Sequence, residues 1–131
     1  MTATGASLAI INRTQGTCLA ERVRVADRHW SRLCGLLATP QAALLRGAGL
    51  WLVPCRGVHM LGMRYAIDAF YFDKDLRVVH IEPHLQPWRT GALRRDAWAV
   101  LEVAAGTAER TRTALGDSIV WQPRGPAAPC D

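Results

Sequence analysis

The chain predicts a single sheet-rich α+β domain, its sheet mostly antiparallel or mixed, carrying one main helix and able to close partly as a barrel. Two observations carry this prediction. Apolar runs of strand length recur along the 131 residues, at 8–11, 50–53, 65–72, 97–103 and 118–121, each bounded by Gly, Pro, Asn or Asp. Against them stands one clear amphipathic stretch, in which Trp30, Leu33, Cys34 and Leu37 recur at helical spacing behind the N-cap candidate Asp27. The length fits one domain that buries roughly two-thirds of its unfolded surface.

Taken in order, residues 8–11 form a first strand and residues 12–16 a turn. Residues 18–26 alternate apolar with polar and return as a hairpin partner. The helix then covers residues 28–37 and breaks at Thr39-Pro40. Residues 41–45 make a short helical turn before the buried strand at 50–53, which Pro54 stops. Residues 65–72 read as a central strand, 73–76 as a turn and 77–82 as the returning strand. Residues 83–96, with two prolines, a glycine and several charges, read as a long surface loop. A strand at 97–103, a short helix from Thr107 ended by Gly116, and a last strand at 118–121 complete the domain at residue 122. Residues 123–131 (PRGPAAPCD) read as a disordered tail.

Composition narrows the function classes. Net charge is +5, carried by fifteen Arg and the single Lys74, but the arginines spread along the whole chain and no nucleic-acid motif is present, so nucleic acid is not an expected partner. No apolar run approaches the ~20 residues of a membrane span. The N-terminus lacks the basic-then-apolar pattern of a signal peptide, so the expected location is the cytoplasm. There the four cysteines, Cys18, Cys34, Cys55 and Cys130, are expected as thiols. Nucleotide-binding glycine loops, the G-x-S-x-G elbow and the H-E-x-x-H zinc motif are all missing.

The one dense cluster of reactive side chains is residues 54–75, PCRGVHMLGMRYAIDAFYFDKD. Cys55, His59 and Met63 follow at intervals of four. Thiolate, imidazole and thioether together suit a soft metal such as Cu(I), with Zn as the other candidate, although no cofactor is required by any other feature. In a straight strand those residues would span about 26 Å, so joint ligation needs the chain to fold back at Gly57 and Gly62. A second reading makes Cys55 a nucleophile with His59 as base, and Asp68, Glu102 or Asp117 as orienting group. The third is packing: Cys55, Met60 and Met63 fill the core, and Asp68 tethers a turn through backbone N–H groups.

Four blocks in order resemble one family, the uncharacterised bacterial and archaeal proteins of domain of unknown function 192. They are Arg32-Leu33-Cys34-Gly35-Leu36; Met63 followed by Ile67-Asp68 and Phe72-Asp73; Val100-Leu101-Glu102 with Gly106-Thr107; and Gly116-Asp117. The resemblance covers about residues 18–121 and implies a compact α+β domain without an established activity. Many members carry an aromatic-Met-Lys-Asn-Thr stretch where this chain has residues 58–64; here Pro54, Cys55, Val58 and His59 resemble a subgroup with Pro-Cys-x-x-Val-His. Genes of that subgroup lie at times beside tight-adherence pilus assembly genes, which implies an accessory role with pilus or secretion machinery as partner. The blocks also suggest one polar pocket. It would be formed by Cys55, His59, Met63, Arg64 and Asp68, with Glu102 on a neighbouring strand and Arg32 at the helix end as a pairing cation. The expected role is a ligand- or protein-binding accessory module; a metal-binding or thiol-dependent protein using Cys55 and His59 is the alternative.

Overall fold

The computed structural model describes residues 7–27, 36 and 39–124. The main helix expected at residues 28–37, with Arg32 and Cys34, lies outside the described residues except for Leu36, as do Cys130 and the tail from residue 125.

Among the described residues, eight strands fall into two sheets. Strand β1 (Ser7–Asn12) pairs antiparallel with β2 (Thr17–Ala20) on one side and β8 (Ile119–Arg124) on the other. The second sheet contains β3 (Arg22–Ala26), β4 (Ala48–Leu52), β5 (Ile67–Phe72), β6 (Val78–Leu85) and β7 (Ala99–Ala104), in the order β3-β4-β7-β5-β6. Among the described strands of this sheet only β3 and β4 run parallel, which the long connection between them permits. Two short helices are described, α1 (Gln41–Leu45) and α2 (Thr107–Thr111).

Three expectations need correction. The strands do not close into a barrel; they form two open sheets. The alternating stretch at 18–26 is two strands, because the chain leaves the first sheet at Glu21 and joins the second: the Glu21 and Arg22 N–H groups both donate to the Gly47 carbonyl. Cys18, expected as a thiol, is disulfide-bonded. The last strand also runs to Arg124, two residues into the expected tail.

The five-stranded sheet carries a core on each face. In β5 all six residues are buried, and strict alternation divides them. Ile67, Ala69 and Tyr71 join one apolar cluster, Phe70 and Phe72 the other. The second cluster fills the space between the sheets, where Ile10 and Leu19 meet Trp51, Phe70 and Leu101. Trp51 stacks on Phe72 and meets Trp121 edge-on, each with centroids 5.2 Å apart. The first cluster lies on the opposite face and is covered by Leu44 of α1 and by Val58, Met60, Met63 and Ala97 from the loops.

The turn between β1 and β2 is locked to the approach to β8. Asn12 is buried; its Nδ2 donates to Thr113 Oγ1 and Asp117 Oδ2, each at 3.0 Å, and its Oδ1 accepts the Gln15 N–H. Asp117 also accepts from Ala114 N–H and Gln15 Nε2. Burial by itself would raise the Asp117 pKa, but these donors outweigh it and hold the carboxyl below its ordinary value. Asp117 is therefore committed to the fold at the end of the molecule where β8 begins.

Candidate functional site

Residues 55–63 and 88–98 form an irregular ribbon over the first core. The N–H of Gly91 donates to Val58 O, that of Met60 to Arg89 O, and that of Trp88 to Met60 O; farther along, Arg94 N–H reaches Arg56 O and Cys55 N–H reaches Trp98 O, all within 2.9 Å. Alternation along the ribbon sends Val58 and Met60 into the core while His59 is exposed opposite Thr90. Gly62 takes the left-handed conformation (φ 80°) and turns the chain, so that Met63 returns to the core. The fold-back expected at the glycines does occur at Gly62, but it delivers Met63 inward while His59 faces out.

The sequence-predicted residues thus separate. Cys55 is half-buried, is not disulfide-bonded, and its thiol donates to Gly57 O at 2.9 Å. His59 and Arg64 are exposed, and Met63 is core. Asp68 and Glu102 do lie on neighbouring strands, but Asp68 pairs with Val103 and Glu102 with Ala69. They therefore project from opposite faces of the sheet. Each oxygen of the Asp68 carboxylate accepts a backbone N–H, Oδ1 from His84 and Oδ2 from Ala108, both at 2.8 Å. Glu102 sits on the ribbon's face, 5% exposed. Burial alone raises its pKa to about 7, with no hydrogen bond from the described residues to offset it. Every fully enclosed side-chain nitrogen or oxygen among the described residues has a partner, so the Glu102 carboxyl must keep a small opening to solvent.

A polar group absent from the sequence reading lies beneath the ribbon. Tyr71 Oη donates to Ala92 O at 2.7 Å. Glu82 Oε2 accepts Ala92 N–H at 2.8 Å and meets His80 Nε2 at 2.9 Å, and the His80 ring packs edge-on against Tyr71. Burial, then the fields of Glu82, the Cys55 thiol and Glu102, raise the Tyr71 pKa well above its usual range. Burial pushes the Glu82 pKa up, but His80 and the Ala92 N–H outweigh it, leaving a net lowering. Gly91 makes this contact possible: a Cβ there would stand 2.7 Å from Tyr71 Oη and 3.0 Å from Val58 Cγ2. A signal for this group exists in the chain. His80 and Glu82 are two apart on a predicted strand, hence on one face, and a tyrosine in a buried strand needs a partner for its hydroxyl.

Cys55 also borders an open cleft of about 650 Å³ between the ribbon and the β5–β6 turn. Arg56, Lys74 and Arg95 line it together with Asp73, Asp75 and Asp96. Asp73 accepts the N–H groups of Asp75 and Arg77, and Asp96 is held in a fork by Arg94. Among the described residues no group of three or more His, Cys, Asp or Glu side chains is placed to hold a metal ion. No helix among them is long and apolar enough to cross a membrane.

These features define a small two-sheet α+β domain with a thiol-bordered surface cleft and a polar group locked under a ribbon. The chain belongs to the DUF192 family, an uncharacterized ACR, whose model matches residues 10–121. It is similar to a UPF0127 protein of Thermococcus sibiricus, 28% identical over 118 residues that cover 86% of this chain and 74% of the relative. A UPF0127 protein of Thermococcus kodakarensis is 27% identical over 119 residues, 87% of this chain and 73% of the relative. Two crystal structures share the fold, each with a TM-score of 0.73 and 19% identity. One is a protein of unknown function from Novosphingobium aromaticivorans, matched over 87% of this chain and 83% of that one. The other is from Sinorhizobium meliloti, matched over 92% and 97%. At that identity the likeness establishes the fold alone.

Proposed function

We propose that this protein is a binding module whose site is the Cys55 cleft, and that its ligand is a polar segment bearing both charges, such as an amino acid or a short peptide. The observation that carries this reading is the lining itself: three cations and three carboxylates around one concave surface, with a half-buried thiol at its edge. Asp73 and Asp96 are already held by protein donors, so Arg56, Lys74, Arg95 and Asp75 are the groups offered to a ligand.

The thiol-dependent alternative draws less support. Cys55 and His59 are four residues apart on an extended ribbon, roughly 13 Å, and the Cys55 thiol donates to Gly57 O. The test is a titration of isotope-labelled protein with a panel of amino acids and short charged peptides, read by NMR amide shifts. Saturable shifts at Arg56, Arg95, Ala97 and Trp98, with slowed alkylation of Cys55 and unchanged binding in Cys55→Ser, are expected. Shifts that never appear at these amides, or a panel that leaves alkylation untouched, would remove the cleft from consideration.

A further inference from the structure

The ribbon carries three of the eight large apolar side chains that stand exposed among the described residues. Trp88 is 67% exposed, Leu61 54% and Leu93 80%. The Trp88 N–H donates to Met60 O, which places Trp88 beside Leu61. Trp88 also holds a positive φ of 65°, a conformation that bulky residues rarely take and that costs of order 1 kcal/mol or more. The fold therefore fixes a large indole outward at an energetic cost, where solvent gives it nothing in return.

Charge follows the same ribbon. Residues 55–63 and 88–98 hold Arg56, Arg89, Arg94 and Arg95 against the single acid Asp96, which is three of the chain's five net positive charges, and Arg64 follows directly after the first segment. Arg56, Arg64, Arg89 and Arg95 are exposed. The sequence shows the arginines evenly spread; the ladder between the two segments is what gathers them.

We infer that this ribbon docks on an anionic lipid surface, with Trp88, Leu61 and Leu93 entering the headgroup boundary and Arg64 and Arg89, the exposed arginines of this set outside the Cys55 cleft, facing lipid phosphates. Three large apolar side chains that stand more than half exposed suit a soft phase that closes around them, whereas a folded partner protein would need a complementary pocket for each. Single-stranded nucleic acid would use the indole and the arginines but leave both leucines idle. Amphipathic surfaces of this kind, apolar anchors ringed by cations, bind interfaces by adding buried area to attraction for anionic headgroups.

The experiment is co-sedimentation of the full chain with vesicles of phosphatidylcholine alone and of phosphatidylcholine mixed with phosphatidylglycerol, across a range of salt. Binding to the anionic vesicles that weakens with salt is expected, with little to the neutral ones. Trp88→Asn keeps a residue tolerant of positive φ and should lower partitioning roughly tenfold, as should Leu93→Ser; a buried side chain of this size commonly contributes that much. Leu93→Ser should melt with the parent, because its side chain is exposed, and Trp88→Asn at or somewhat above it, because Asn relieves the positive-φ strain. If Trp88→Asn proves unfolded, Leu93→Ser alone carries the test. Absence of binding to anionic vesicles, equal binding to neutral ones, or partitioning indifferent to these substitutions overturns the inference. So does capture of a poly-glutamate peptide or single-stranded DNA through the same residues when vesicles are not bound.

Discussion

Asp68 and Glu102 are carboxylates on adjacent central strands, both at most 5% exposed, yet they live under opposite rules. Asp68 faces the side where β6 ends and α2 begins, and two backbone N–H groups meet its oxygens. Glu102 faces Leu50 and Ala69 across the sheet, where neither neighbour can donate a hydrogen bond. One carboxylate is a fastening that joins two elements 16 and 40 residues away in sequence. The other is a proton-holding group in apolar surroundings. Burial alone thus says little about what an acidic residue does; the donors that reach it decide.

Breaking the fastening should have the largest effect. Asp68→Ala leaves the His84 and Ala108 amides without their charged acceptor, and each such bond contributes about 2 kcal/mol. A loss of roughly 4 kcal/mol is expected in denaturant unfolding. A variant as stable as the parent would mean that both amides find other acceptors.

The other half of the comparison is sharpened by pH. The Glu102 carboxyl holds its proton to about pH 7 in the folded chain, against an ordinary value of 4.5. The folded state therefore binds the extra proton between those values. Its contribution is fully present below 4.5 and is lost as pH rises through 7, a swing of roughly 3 kcal/mol at most. Glu102→Gln should flatten stability between these limits and leave the variant more stable than the parent above pH 7. Parallel stability curves for parent and variant would mean that the Glu102 carboxyl gives up its proton at the same pH folded and unfolded.

How much of this was legible in the sequence follows the same division between local and nonlocal causes. The β5–β6 hairpin was readable because residues 65–72 are continuously apolar and a turn of Asp, Lys and Asp follows. The tethering reading of Asp68 was available for a related reason: an acid inside such a run needs donors. The opposed faces of Asp68 and Glu102 were not legible, because register between β5 and β7, which pairs Ala69 with Glu102 33 residues away, is set by the whole sheet. Likewise, period-four spacing drew Cys55, His59 and Met63 together on paper. An extended ribbon with a turn at Gly62 separates them, and residues 83–96, which hold most of the partner segment that makes it a ribbon, carry only loop signals, two prolines, a glycine and four charges. Tyr71, His80 and Glu82 escaped notice because each looked ordinary within its own strand.

The polar group under the ribbon offers a finer comparison with the Asp68 fastening, since it also joins distant segments but with neutral or part-exposed partners. Gly91→Ala should cost about 2 kcal/mol. The added Cβ would meet Tyr71 Oη at 2.7 Å, and that hydroxyl is pinned by Ala92. A melting curve unchanged by this substitution would show that the ribbon lifts without loss.

Tyr71→Phe is the gentlest of these changes and tests the ribbon's attachment directly. It removes one hydroxyl and keeps the ring that packs against His80. The Ala92 carbonyl loses its donor, while Ala92 N–H keeps Glu82. A net loss of about 1 kcal/mol is expected for one neutral hydrogen bond. Its location matters more than its size. Amide hydrogen exchange should quicken at Val58, Met60 and Gly91, whose environments depend on the ribbon, and stay unchanged at Phe70 and Leu101 in the sheet beneath. Quickened exchange spread evenly through β5 and β7 would mean that the hydroxyl supports the sheet itself, and that ribbon and sheet open as one unit.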